Sequence, residues 1–386
     1  MLTLWLFHAV ALTVLAALGA QAVLNARAIR RLGATPSPSM WPTVSVLIPA
    51  RNEAARIEAC IRAWCAQDYP RYDVVVCDDE STDGTGARAA HAAAGAGNVR
   101  TVRAGRLPPA WRGKTHACHR LREQARGDLL VFVDADVEPQ PSVLTAAVAA
   151  YEALGADALS ALTSHAPLPA LLRSVAGIQN WAAMSFVPTW LTAMRHHPAM
   201  AIMNGQFVLI PATVYDAIGG FAAVRDSLSE DTALGRRLVA AGYRIDLVDG
   251  SALLACRSYT TLADLWRANV RNLRGALLGS RWLLALSATS LAGLYLGPPV
   301  VLVVGAVLGH AGSMAWTGLP LLEAALGIGA RALVDRRSGH GAWLALVHPI
   351  AVATLVAMHV DAIARILGRA EVDWRGRRYR LTDGTA

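Results

Sequence analysis

The sequence predicts an α/β protein: a mostly parallel sheet with helices on both faces, flanked by N-terminal and C-terminal transmembrane helices. Three observations predict it. Short β-branched runs alternate with helix-compatible stretches between residues 43 and 281, the pattern of a parallel sheet whose crossovers are helices. Uncharged apolar stretches lie at both ends of the chain, and about 20 such residues span a bilayer as a helix. Charged residues are 17% of the chain and hydrophobic ones 54%, against about 25% charged in a typical soluble chain.

Composition also excludes some functions. The 386 residues have room for two ordinary domains, or for one catalytic domain plus membrane spans. A mean hydropathy of +0.36 argues against disorder and against a purely soluble protein. The net charge is +8 and the pI about 9.6. A nucleic-acid binder would carry that charge on a soluble face. Here many basic residues flank apolar runs, which marks the cytoplasmic side of membrane segments, so no nucleic-acid partner is expected. Five cysteines without paired spacing do not make a disulfide framework. A reducing, cytosol-facing catalytic region fits them.

From Met1 to Ala26 no side chain is charged, and Arg27, Arg30 and Arg31 follow. A cleaved leader carries its positive charges before the apolar core. Residues 1–26 therefore read as an anchor with its N-terminus outside, and Pro36, Pro38 and Pro42 mark a linker over 27–42. Thr43–Pro49 reads as a buried strand, with Asn52 capping the helix that carries Ile57, Ile61 and Trp64. Asp73–Cys77, Val99–Val102 and Leu129–Val133 read as further strands, with a helix over 85–96. Residues 107–114 hold two prolines, a Trp and a Gly, and read as a stiffened, hinged loop.

Residues 167–194 are apolar, with Leu171, Trp181, Phe186 and Trp190, but hold Arg173, Gln179 and Asn180. They read as an interfacial helix pair resting on the bilayer, with a domain core helix as the alternative. Residues 43–281 as a whole read as the cytosolic domain. Residues 282–367 read as C-terminal membrane segments. The 41 residues from Trp282 to Leu322 carry no charge and make two spans, turning near 309–313. Arg331, Arg336 and Arg337 read as the aqueous end of the second span. A third uncharged stretch, 338–360, has Pro349 in its middle. Glu323 lies inside a span, a functional candidate unless it sits near a helix end or faces the bundle interior. The basic tail 368–386 favours the cytosolic side. Three complete crossings would not place it there, so one stretch is expected to be re-entrant or interfacial.

The acidic motifs sit at predicted strand ends and at a helix start. Ligands of open α/β sheets gather beyond the carboxyl ends of the strands. Asp134 and Asp136 are two apart. If the strand runs that far, its pleat points both carboxylates the same way. Such a pair can hold a hard cation shared with substrate phosphates; a solvated acidic turn is the alternative. Asp78 and Asp79 end the preceding strand. Adjacent buried acids repel unless they meet donors such as ribose hydroxyls or a base N–H, though a plain turn and N-cap also fit. Glu230 and Asp231 open an amphipathic helix with Leu234, Leu238 and Val239 on its apolar side. Acids there complement the helix dipole, or one is a general base that deprotonates a hydroxyl. His116, Cys118 and His119 lack a second ligand pair at usable spacing, so no zinc site is expected.

Ile48–Glu53 (IPARNE), Cys77–Thr85 (CDDESTDGT), Asp134-Ala-Asp136 and Ser229-Glu-Asp231 occur in that order. Over roughly residues 43–275 the chain resembles a family 2 glycosyltransferase of GT-A fold. Pro108–Lys114 (PPAWRGK), Asn204-Gly205 and the Trp374-Arg-Gly-Arg tail resemble a membrane subgroup that includes hopene-associated and carotenoid (diaponeurosporenoate-type) glycosyltransferases. The resemblance implies inverting, metal-dependent sugar transfer from a nucleoside-diphosphate sugar, foremost a UDP-sugar, to a membrane lipid. Pro49, Ala50, Glu53, Asp78 and Asp79 would then line the nucleoside, and Asp134 the ribose and diphosphate. Asp136, with Asp134, would bind Mg²⁺ or Mn²⁺. Asp231 would be the base, with Glu230 the next candidate.

The chain departs from the family's polysaccharide synthases, which carry a Gln-x-x-Arg-Trp motif near the membrane. Here the corresponding stretch is Trp266–Arg274, where Arg267, Arg271 and Arg274 recur at helical spacing. Arg271 and Arg274 would meet the donor diphosphate or lipid headgroups; an ordinary basic juxtamembrane helix is the alternative. The departure counts against a processive polymerase. A polyprenyl-phosphate or polysaccharide sugar transferase is the nearest enzyme rival, and a catalytically inactive membrane scaffold the rival of another class. A scaffold needs none of the carboxylates. The expected location is the cell inner membrane, multi-pass, with the catalytic domain in the cytoplasm.

Of the 36 basic residues, 35 are Arg and one is Lys, at position 114. Lys is a compact point charge where Arg is a broad planar fork. Lys114 is expected to reach the nucleotide or its diphosphate where a guanidinium does not fit; a compositional accident is the alternative.

Overall fold

Packing divides the chain into two compact units, residues 29–166 with 189–258, and residues 1–28 with 167–188 and 259–386. The computed structural model describes residues 1–165, 168–190, 197–198, 201–227, 229–259, 261–277, 279–368, 372–374 and 376–379. Most of the basic tail expected over 368–386, and the 191–194 end of the expected interfacial segment, lie outside the described residues.

The first unit is α/β. Its strands are β1 (Val44–Ala50), β2 (Tyr72–Asp78), β3 (Val99–Arg103), β4 (Leu129–Val133), β5 (Val137–Pro139), β6 (Ala158–Leu162), β7 (Ser164–His165), β8 (Phe207–Pro211), β9 (Ile245–Asp249) and β10 (Leu254–Cys256). Seven form one sheet in the order β3-β2-β1-β4-β8-β6-β9, and β5-β10-β7 form a small second sheet. β1 pairs in parallel with both β2 and β4. β8 runs antiparallel between β4 and β6, so the sheet is mostly parallel with one reversed strand.

Alternation along the strands explains their apolar runs. Val46, Ile48, Val74, Val76, Val131 and Val133 pack into one core. Leu47, Val75, Leu130 and Phe132 point the other way into a second. Strands buried on both faces must be apolar at every position. The helix Ile57–Cys65 covers the first core with Ile57, Ile61 and Trp64, all fully buried. The helices Gly113–Gln124 and Glu230–Ala240 cover the second with Leu121, Leu234 and Leu238.

Three local expectations are corrected. Asn52 caps no helix: the helix begins at Ile57 after Arg56. Asn52 instead has a positive φ of 52°, and its side chain accepts the Thr82 N–H at 2.9 Å. Lys114 lies in the first turn of the helix Gly113–Gln124 rather than in a loop. β4 stops at Val133, so Asp134–Asp136 is a turn leading into β5 and the strand pleat does not align the two carboxylates.

The second unit is helical. Leu2–Ala28, Arg281–Val307, Met314–Arg337 and Ala342–Leu367 are each long and apolar enough to cross a membrane. Trp282, Leu286, Val303, Val307 and Leu346 are exposed on them, as lipid-facing side chains would be. Pro349 sits in the first turn of the helix His348–Leu367, where its missing N–H costs no helix bond. Residues 167–188 contribute the helices Ala170–Ala176 and Ile178–Phe186, which bury Val175, Ile178, Trp181 and Met184 and leave Leu171 and Phe186 exposed.

Among the described residues, two buried pairs of charged or titratable side chains lie inside this bundle. Glu323 faces the interior, 1% exposed, with Oε1 2.8 Å from Nδ1 of His8. Arg331 does not mark an aqueous helix end. It is fully buried, and its Nε donates to Asp335 Oδ1 at 2.8 Å and its Nη2 to the Ser174 carbonyl at 2.7 Å. An i,i+4 partner inside the same helix lets this arginine stay in an apolar stretch.

Candidate active site

The chain runs from β1 outward to β2 and β3, then returns to β4 on the other side of β1. The carboxyl ends of β1 and β4 thus flank the point where strand order reverses, where open α/β sheets bind ligands. A pocket opens there, lined by Pro49, Lys114, Asp134, Gly205, Glu230 and Asp231. Pro49 comes from β1 and Asp134 follows β4. Lys114 comes from the start of one helix, and Glu230 and Asp231 from the start of another. Three segments remote in sequence supply the charged lining, around Lys114, Asp134 and Glu230-Asp231.

Lys114 joins the acidic motifs. Its Nζ lies 2.7 Å from Asp134 Oδ1 and 2.8 Å from Glu230 Oε1, with its side chain 21% exposed. Burial alone would lower its pKa, but Asp134 and Glu230 outweigh that and hold it well above the ordinary lysine value. Burial raises the Asp134 carboxyl, Lys114 pulls it back, and Asp136 pushes it up again, to about 6.

Asp231 is held from both sides. The Thr232 N–H donates to Oδ1 at 2.7 Å and the Gly205 N–H to Oδ2 at 3.0 Å. Burial first, then the neighbouring Glu230, raise its pKa against the pull of Lys114 and of these two bonds. The carboxylate is thus aimed and made more basic than an ordinary Asp. A Cβ at position 205 would stand 3.2 Å from Asp231 Oδ2, so any larger residue there would make the carboxylate give way by a few tenths of an ångström.

Asp136 faces a different set of groups. Ser258 Oγ donates to its Oδ2 at 2.7 Å, and Cys256 Sγ lies 3.6 Å from Oδ1. Behind them Gln206 Nε2 donates to Cys256 Sγ at 3.0 Å, and Thr163 Oγ1 to Gln206 Oε1 at 2.5 Å. This chain of polar side chains fixes Asp136 from behind. Among the described residues no group of three His, Cys, Asp or Glu side chains is placed to hold a metal ion.

The Asp79 N–H donates to the Ala50 carbonyl at 2.9 Å, tying the end of β2 to β1. Arg51 donates to the Asp79 carbonyl, and to that of Glu80 at 3.0 Å. Glu53 and Asp79 are buried here; Glu53 accepts from Arg56 at 3.1 Å and its N–H donates to Thr85 Oγ1 at 2.8 Å. Asp78 turns toward the 81–84 turn that leads into the helix Thr85–Ala93, and its Oδ1 accepts the Ser81 N–H at 3.3 Å.

Arg271 and Arg274 belong to the second unit, on the helix Leu262–Ala276, whereas every residue lining the pocket belongs to the first. Arg274 is 6% exposed, and its Nε has no hydrogen-bond partner among the described residues. Burial, then nearby Arg365, lower its pKa. Sequence reasoning gave no role to Gly205, Ser258 or Gln206. Only the Asn204-Gly205 dipeptide carried a local signal, that of a tight turn.

A family model described as glycosyltransferase like family 2 matches residues 42–277, more than half of the chain. The chain is 33% identical over 121 residues to glycosyltransferase AglE of Haloferax volcanii, covering 31% of this chain and 38% of that protein. It is 26% identical over 220 residues to 4,4'-diaponeurosporenoate glycosyltransferase of Staphylococcus aureus strain MRSA252, covering 56% of each. The matches thus span about half the length of these relatives or less. Among solved structures it resembles the mannosyltransferase PcManGT of Pyrobaculum calidifontis, solved with GDP-Man and Mn²⁺. The TM-score is 0.53 at 20% identity, over 94% of this chain and 99% of that one. At that identity the likeness concerns the fold, and it agrees with the GT-A expectation. The extent of the family match decides the assignment: the chain belongs to glycosyltransferase-like family 2.

Proposed function

We propose that the protein transfers a sugar from a nucleoside-diphosphate sugar to a lipid acceptor at the cytoplasmic face of the cell inner membrane, with inversion at the sugar carbon. The observation that carries this reading is the convergence of Lys114, Asp134, Glu230 and Asp231 on one pocket at the switch point. Four apolar helices of spanning length in the same chain support the membrane location and a lipid acceptor. A scaffold would have no use for Asp231, whose carboxyl is raised by burial and by Glu230.

The family resemblance and the lining of the pocket together support these roles. Asp231, aimed by Gly205 and Thr232 and raised by burial, takes the proton from the acceptor hydroxyl. Pro49, Ala50, Glu53, Asp78 and Asp79, at the ends of β1 and β2, hold the nucleoside, and Lys114 reaches the diphosphate. Arg271 and Arg274, on the helical unit, bind anionic groups such as lipid headgroups. Asp134 and Asp136 fit a divalent cation in one way only. The chain offers two hard carboxylates in one turn at the end of β4, and no group of three such ligands among the described residues. That is the donor set of a Mg²⁺ or Mn²⁺ ion completed by substrate phosphates. When bound, such an ion neutralises charge on the leaving diphosphate.

The test is to incubate the purified protein with a panel of UDP- and GDP-sugars and total membrane lipid, and to look for a hexose mass shift. A shifted lipid, with the anomeric configuration opposite to that of the donor, supports the proposal. Labelling of polyprenyl phosphate alone would move the assignment to the rival transferase. No transfer with any donor, from protein shown to be folded, would overturn it.

A further inference from the structure

Asp134 is committed twice. It is one of the two carboxylates suited to a divalent cation, and it already holds the Lys114 ammonium at 2.7 Å. Among the described residues that line the pocket, Lys114 is the only cation, against Asp134, Glu230 and Asp231. The start of its helix is fixed: the Arg112 N–H and the Thr115 hydroxyl both donate to the Arg225 carbonyl at 2.7 Å. Arg225 precedes Glu230 by five residues in the chain. The ammonium therefore bridges the end of β4 and the start of the Asp231 helix.

A divalent ion on Asp134 would share one carboxylate with the ammonium, and the two would repel. The ammonium ends a flexible four-carbon stem and can swing; a guanidinium in its place would carry its donors in a rigid fork. We infer that Lys114 is a resident counter-cation that occupies Asp134 while the pocket is empty and leaves it when a divalent ion and nucleoside diphosphate enter. The departing ammonium keeps Glu230 and gains the diphosphate. Metal binding alone must evict the lysine without offering it a new partner, so it is weak. Metal binding with nucleotide supplies that partner, so it is strong. Metal and nucleotide are thereby coupled through one side chain, and the coupling is reciprocal. This rests on the reading of the pocket as a metal–nucleotide site.

The test uses the full chain in detergent, with free Mn²⁺ counted by its EPR signal, with and without UDP or GDP. Lys114→Met and Lys114→Gln are compared with the wild type. Without nucleotide, the variants should bind Mn²⁺ about tenfold more tightly. The factor by which nucleotide tightens Mn²⁺ binding should be several-fold smaller in them. Equal or weaker Mn²⁺ affinity in a variant that still unfolds cooperatively would overturn the exchange. If the wild type binds no Mn²⁺ even with nucleotide, the metal reading fails and the exchange with it. A second measurement needs no variant. Lys114 is the only lysine of the chain, so its acylation by an amine-reactive ester can be read by mass spectrometry. The rate should rise several-fold when saturating Mn²⁺ replaces chelator in the absence of nucleotide. An unchanged rate with Mn²⁺ bound overturns the exchange even if both variants misfold.

Discussion

At Asp231 the proposed chemistry reduces to one proton. Asp231→Asn keeps the shape and loses the proton acceptor, so donor binding should survive while turnover falls about 10²-fold or more. Turnover within a few-fold of wild type at saturating acceptor would shift the base to Glu230. The raised pKa of Asp231 has a signed consequence. The base works ionised, so activity is lost as pH falls through its pKa. That acid limb should lie above the ordinary Asp value of about 3.9, and Asp231→Asn should abolish it in a pH–rate profile. Gly205→Ala places a Cβ 3.2 Å from the Asp231 carboxylate. A base displaced by a few tenths of an ångström should lower kcat about tenfold, since a misplacement of ~1 Å can cost 10²-fold. Circular dichroism and donor binding should stay as in the wild type. Asp136→Ala, and exhaustive chelation of the wild type, should each abolish transfer. Full activity after chelation would remove the metal from the proposal.

Among the elements, the helix Met314–Arg337 carries the sharpest dependence. Arg331 and Asp335 are both fully buried, and the guanidinium also holds the Ser174 carbonyl of the helix Ala170–Ala176. Arg331→Met leaves Asp335 buried without a partner, which should destabilise the helical unit by about 3–5 kcal/mol. Adding Asp335→Leu should recover most of the loss, because an apolar pair of similar volume needs no desolvation. Thermal unfolding in detergent measures both. A double variant no better than the single one would mean that the Ser174 contact, not the ion pair, carries the stability.

For the whole molecule, the anchor Leu2–Ala28 is part of the helical unit rather than a detached tether. Within that unit His8 Nε2 contacts the Ala315 carbonyl at 2.7 Å and Nδ1 contacts Glu323 at 2.8 Å. A carbonyl only accepts, so the Nε2 proton is fixed there and the second proton is shared between Nδ1 and the carboxyl. Glu323→Gln retains a donor to Nδ1 and should leave unfolding close to wild type. His8→Leu strands Glu323 in the interior and should lower the unfolding midpoint by several degrees, a loss that Glu323→Gln should partly relieve. Equal stability of all three proteins would show that the anchor is not held by this pair.

The sequence alone determined whatever depends on neighbours along the chain. The apolar strands β1, β2 and β4, the helix starts at Thr85 and Glu230, and the spans were legible because period and charge are local properties. Strands β6 and β9 were not, because their short runs lack flanking signals, nor was β8, whose antiparallel direction depends on its partners. The acidic motifs named the carboxylates of the pocket, Asp134, Glu230 and Asp231, whereas Asp78, Asp79 and Asp136 are not among its lining residues. The tertiary structure decided what each group meets. It alone places Lys114 between Asp134 and Glu230, Gly205 under Asp231, Ser258 behind Asp136, and Arg331 beside Asp335 inside the bundle rather than at its aqueous end. Those relations join segments 20 to 122 residues apart or pair groups across one helix turn. A charge's role is set by the burial and partners it acquires when the chain closes, which no local pattern records.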